Sequence, residues 1–261
     1  MKTFNISVLL VFLCFMNSYS QKKDSQTVFM PTGKVIIQGF VNYKYNFTKD
    51  VLQKSAFQLN RAYLGYKYDF TRHIAGNITI DCGKDDGSAY TSFVKFAYVD
   101  VAITNWLKMT LGQFRLKQFD DQENLTTYRY VSKSFADLYG MNYSADLGIN
   151  AAFRINKKLS SNLSVTNGEG FKKLQDDFGF HKYAANLLFT PIEGLMLKGY
   201  TDLNQAKKQL KDISGKDSVI ISLKTQQTVN FFAGYKFKEK FRIAAEYNIQ
   251  FNNANTEDHT L

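Results

Sequence analysis

The sequence predicts an all-β chain folded as an antiparallel transmembrane β-barrel. Three observations carry that prediction: an export leader, apolar and polar residues that alternate with a period of two, and connections that are short and long by turns. The composition agrees. The chain has 261 residues, a net charge of +10, 16 Tyr and 23 Phe, but only 2 Pro and 2 Cys. Aromatic and charged residues are interspersed throughout, which excludes a polar disordered tract and a proline-rich stalk. Beyond the leader no apolar run approaches the roughly 20 residues that a membrane helix requires, so any span must be made by strands.

The leader comes first. Met1-Lys2 gives a basic start, the stretch from Ile6 to Met16 is mostly apolar, and Asn17-Ser18-Tyr19-Ser20 precedes the polar Gln21-Lys22-Lys23. These are the parts of a secretory signal over 1–20, cut after Ser20. Cys14 follows Leu13 inside the apolar centre, whereas lipid attachment needs a small residue before the cysteine. Removal of the leader leaves Cys82 as the single cysteine, so neither an internal disulfide nor a cysteine-based metal cluster is expected. Residues 21–32 then form an N-terminal segment, 33–251 the barrel, and 252–261 a polar tail that reads as a loop of an incomplete barrel.

Strands are expected near 34–45, 57–70, 74–81, 92–102 and 107–117, then 146–155, 159–166, 183–189, 195–204, 228–237 and 241–251. The alternation is cleanest from Phe241 to Phe251 and from Asp146 to Ile155, where Ile149, Ala151, Phe153 and Ile155 oppose Asp146, Asn150 and Arg154. Tight turns near 69–73, 104–106, 156–158, 190–194 and 238–240 alternate with polar loops at 46–55, 82–91, 118–144, 168–182 and 205–227. Membrane barrels are laid out in this way, with short turns on one rim and long loops on the other. Alternation alone also fits an exported β-sandwich, an adhesin or surface-binding module, with its apolar face turned to a core. Aromatic residues near strand ends, among them Tyr43, Tyr45, Tyr66, Phe70, Phe189, Phe237, Phe241 and Phe251, match the girdles of a barrel at the lipid interface.

Several segments carry a family resemblance. Phe57-Gln58-Leu59-Asn60-Arg61-Ala62-Tyr63-Leu64-Gly65 resembles the second-strand signature of the phosphate-selective porins (O and P type) of Gram-negative outer membranes. Ala97-Tyr98-Val99-Asp100 with Leu111-Gly112-Gln113-Phe114-Arg115-Leu116-Lys117 is similar to later segments of that family. So are Arg129-Tyr130-Val131-Ser132-Lys133-Ser134-Phe135 with Ser144-Ala145-Asp146-Leu147-Gly148, and Asn167-Gly168-Glu169-Gly170. The resemblance implies a sixteen-stranded homotrimer in the cell outer membrane that passes small anions, with its third external loop folded into the pore. Here that loop is 118–144, and Arg129 and Lys133 become candidates for the constriction. About eleven strands are visible where the family has sixteen, so the expectation is a C-terminally truncated member.

If the apolar faces meet outer-membrane lipid, the opposite faces line water. Lys34, Lys44, Arg61, Lys67, Lys95, Arg115, Lys117, Arg154, Lys198, Lys236 and Arg242 are then the candidate pore-lining cations, with Asp81, Asp100, Asp202 and Glu246 as counter-charges. Such cations raise the local concentration of anions and lower their entry barrier. The strands of Arg61 and Arg115 have apolar residues on both faces, which is the mark of a bulge. No catalytic set is visible, and no cofactor or metal is expected. His73, His181 and His259 have no partners at ligand spacing, and Asp81, Asp85, Asp86 and Gly87 lack the spacing of a calcium loop. The positive charge is spread without a basic block, which argues against nucleic acid. Asn167-Gly168-Glu169-Gly170 reads as a turn at a strand end.

Overall fold

The computed structural model describes residues 29–253 apart from positions 50–51, 53–54, 85–88, 128, 130–132, 176–178, 206, 212–217, 223 and 239. The leader, the carboxylates Asp85 and Asp86, and His259 lie outside the described residues. The described residues from Pro31 onward form one compact unit. Its strands are β1 (Thr32–Tyr45), β2 (Ser55–Asp69), β3 (Ile74–Lys84), β4 (Tyr90–Ala102) and β5 (Leu107–Arg115), then β6 (Ala145–Arg154), β7 (Leu159–Thr166), β8 (Lys182–Phe189) and β9 (Leu195–Asn204). After these come β10 (Lys207–Lys211), β11 (Ser218–Ser222), β12 (Gln226–Phe237) and β13 (Phe241–Phe251).

Eleven of these strands make one antiparallel sheet in the order β1 to β9, β12, β13, and β10 and β11 pair separately as a hairpin. Each strand of the large sheet pairs with its neighbour in sequence, apart from the hairpin inserted between β9 and β12. The alternating connections therefore fall on opposite rims, tight turns at one end and long loops at the other. The sheet is not closed: β1 and β13 are its edges and do not pair with each other. An all-β chain of eleven large strands is thus observed, and the expected closed barrel is not.

Two long connections differ from the loops expected of them. The strand expected to reach Lys117 stops at Arg115, and Lys117 opens helix α1 (Lys117–Thr126), followed by the short helix α2 (Phe135–Leu138). The connection over 205–227 carries the β10–β11 hairpin.

Bulges fix which side chains share a face. Opposite β1, the pairing steps from Phe40↔Arg61 to Val41↔Leu59, so Asn60 is the extra residue. Opposite β3, it steps from Thr79↔Phe96 to Ile80↔Val94, so Lys95 is extra. Each insertion shifts the alternation by one residue. Phe57 and Leu59 thereby share the face of Leu64 and Tyr66, while Arg61 and Tyr63 lie on the other. The bulged carbonyls of Val94 and Lys95 both accept hydrogen bonds from the Gln113 amide of β5, at 3.2 Å for Lys95. Gly112, just before it, has φ +117°, and any side chain there would run into the Ala97 carbonyl.

With the register fixed, the two faces have opposite chemistry. One carries Val35, Ile37, Val41, Leu64, Ile78, Val99, Leu111, Ile149, Leu163, Leu187, Phe231 and Ile243, all exposed. Away from the strand ends, none of its described residues is charged. On the other face Thr79, Asp81, Lys95, Thr110, Asp146, Asn150, Asn162, Lys182, Asn186, Lys198, Asp202 and Asn230 are buried. This is the reverse of a water-soluble fold, in which burying a large apolar side chain is worth roughly 1.5–3 kcal/mol and an unpaired buried charge is costly.

The sheet curls around its polar face. Ile36 of β1 and Leu188 of β8 line one cavity of about 1100 Å³. Laid flat at about 4.8 Å per strand, they would lie roughly 34 Å apart.

Candidate functional site

Helix α1 leaves β5 at the long-loop rim and crosses the polar face against β9, β12 and β13. It buries Gln118, Phe119, Asp121, Gln122 and Leu125. Gly234 of β12 allows the close approach, since a methyl group there would stand 2.9 Å from Leu125.

The seat of the helix is polar. The fully buried Lys198 ammonium lies 3.3 Å from Asp121 and donates to Gln122 Oε1 at 2.5 Å, to the Gln118 carbonyl at 3.1 Å and to the Lys117 carbonyl. A buried ammonium requires such a set of acceptors, and α1 supplies all four. Gln122 also donates to Asn230 at 3.2 Å, and Asn186 to Asp121 at 3.4 Å. The cross-strand register places Asn162, Asn186, Tyr200, Asn230 and Asn248 in one row across five strands. The row from Asn186 to Asn248 forms the floor on which the helix lies.

A second anchor holds the end of the same connection. Asn142 donates to Asp202 at 2.9 Å and to Tyr200 at 3.2 Å, and Lys182 pairs with Asp202 at 3.2 Å. Asp146 accepts backbone N–H groups from Leu147, Gly168 and Gly170 at 2.9, 2.7 and 3.2 Å. The turn expected at Asn167-Gly168-Glu169-Gly170 therefore cradles a carboxylate of the protein itself.

Charges at the start of α1 are coupled. Lys117 and Arg115 meet Asp120 at 2.7 and 3.0 Å. Burial works to lower the Lys117 pKa, yet Asp120 and Asp121 together hold it above its ordinary value. Burial likewise works to raise Asp120, but Lys117 and Arg115 outweigh it and keep that carboxyl below its ordinary value. For Glu123, burial and the nearby Asp137 outweigh Arg129, and its pKa is raised.

The register places Lys34, Lys44, Arg61, Lys67, Lys95, Arg154, Lys198, Lys236 and Arg242 on the polar face. Several of them are engaged. Arg61 and Lys95 share Asp81 at 3.1 and 3.4 Å, and Lys95 also donates to Tyr63 at 2.6 Å. Lys67 lies 3.7 Å from Asp69. Arg115 ends β5 and Lys117 begins α1, where both meet Asp120. Arg129 binds Glu123 and Asp137, each at 2.9 Å, and Lys133 lies 3.4 Å from Asp137. Arg129 thus joins α1 to α2 within the connection, and Lys133 adds to its hold on α2.

Asp121, Gln122, Asn162 and Lys182 belong to the site without having been singled out in the sequence. Lys182 sits one alternation step before Tyr183, and Phe119, Gln122 and Leu125 recur at three-residue spacing. The first pattern marks Lys182 and the second Gln122, but neither singles out Asp121. Among the described residues, no group of three or more His, Cys, Asp or Glu is placed to hold a metal ion. No protein-family model matches the chain, and no curated protein is similar to it at a significant level.

Proposed function

We propose that this chain forms the wall of a porin-like barrel channel in the outer membrane, which passes small hydrophilic solutes by diffusion and prefers anions. The observation that carries the reading is the inverted polarity: an uncharged apolar face eleven strands wide, backed by a buried polar face. Lipid is the solvent that such an outer face fits. The helix laid over the polar face supports the reading further, because it narrows the space beside the sheet to the cavity near β1–β8. Cations outnumber carboxylates on that face, and this supports an anion preference. Ion pairs such as Arg61–Asp81 cancel part of the excess, so the preference is expected to be modest. Among the described residues no second large sheet covers the apolar face, which disfavours the exported sandwich.

Extraction and planar-bilayer recording test the proposal. The protein is expected to need detergent, to form steps of conductance, and to give a reversal potential in a salt gradient that shows chloride passing more readily than potassium. A chain that is stable in buffer without detergent would end the channel reading, and equal permeabilities would end the anion preference.

A further inference from the structure

Four residues on β6 and β7 form a site that the ion-pair pattern leaves open. Arg154 pairs across strands with Ser160, Ala152 with Asn162, and Asn150 with Ser164. Arg154, Ser160, Asn162 and Asn150 line the same cavity of about 1100 Å³. Unlike Arg61, Lys95, Lys108, Arg115 and Lys198, Arg154 has no carboxylate partner among the described residues. Asn162 is 9% exposed, and its side-chain oxygen accepts no hydrogen bond. Its cross-strand neighbours are Ala152, which has only a methyl group, and Asn186.

We propose that this site binds a hydroxylated organic anion of the sugar-acid class. The inference rests on the reading that the polar face lines an aqueous passage, and it names the solute. A buried acceptor without a donor specifies a ligand that donates. Chloride has no donor and hydrogen phosphate has one, whereas a sugar acid presents several hydroxyls beside its carboxylate. Arg154 supplies the two-pronged partner for that carboxylate. Arg154 and Asn162 lie on neighbouring strands, two residues apart in the cross-strand register, so the guanidinium and the amide belong to one stretch of the cavity wall. Ser160 and Asn150 flank them with a further hydroxyl and amide.

Calorimetric titration of the detergent-solubilised protein with D-glucuronate, glucose and inorganic phosphate tests the site. Glucuronate is expected to bind about tenfold more tightly than either of the others. Arg154→Gln should bring glucuronate down to the level of glucose, and Asn162→Leu should bring it down to the level of phosphate. Each variant should keep the β-sheet circular dichroism of the parent. Equal binding of all three solutes, no binding of glucuronate, or unchanged binding by both folded variants would overturn the proposal. Bilayer recordings of the same preparations separate the two claims. Selective binding without conductance ends the channel reading alone, and conductance without selective binding ends the solute assignment alone.

Discussion

The Lys198 ammonium of β9 stands 3.3 Å from the Asp121 carboxylate of α1, and this buried pair joins the sheet to the helix that crosses it. Lys198→Met leaves the buried Asp121 carboxylate with only the longer, 3.8 Å ion pair to Lys117, and is expected to cost up to about 3–5 kcal/mol. Asp121→Leu added to it should restore much of that loss. Urea unfolding in detergent checks both variants, and a double variant no more stable than the single one would show that the pair is not the unit.

The coupled charges of α1 make its seat sensitive to acid. Asp120 has a lowered pKa when folded, so its contribution is complete above its ordinary value of 3.8 and is lost as pH falls through the lowered folded value. Glu123 has the opposite sign. Its folded pKa lies above the ordinary 4.5, so its contribution is complete below that value and is lost as pH rises through the folded one. Stability against urea is therefore expected to rise slightly on mild acidification and then to fall. Asp120→Asn should remove the falling limb and Glu123→Gln the rising one.

Adjacent residues of β1 test the apolar face. Ile37 is 79% exposed and Gln38, the next residue, is also exposed but on the opposite face. In water both would accept arginine at little cost. In a bilayer Ile37→Arg is expected to cost about 2–4 kcal/mol, while Gln38→Arg remains near neutral. Folding yields into lipid vesicles measure the difference, and equal yields would count against a lipid-facing surface.

Gln113 serves the bulge of β4, because its amide is the donor to both bulged carbonyls. Gln113→Leu keeps the volume and removes the donor, and should destabilise the sheet by about 1–3 kcal/mol. If the urea midpoint is unchanged, water satisfies those carbonyls instead.

The strands were legible because a period of two follows from the geometry of the strand itself. Segments 241–251 and 159–166 match β13 and β7 to the residue. Register was less legible in β2 and β4, since one inserted residue such as Asn60 or Lys95 reverses the face of all that follows. Helix α1 was read as loop because Lys117–Thr126 is mostly polar, and its polar side chains are what the amide row and Lys198 require. The Lys198–Asp121 contact joins positions far apart in the chain, and only the crossing of α1 over the sheet brings them together.

The strand count has a directional consequence. In an antiparallel sheet each strand reverses the heading of the one before, so with eleven members β1 and β13 point the same way. Sealing those two edges directly would demand a parallel seam, unlike every other pairing in the sheet. A seam that is antiparallel throughout admits only an odd number of strands between β13 and β1, each with lipid-compatible and water-compatible residues in alternation. On the barrel reading, that parity is a requirement on any strands that would close the sheet.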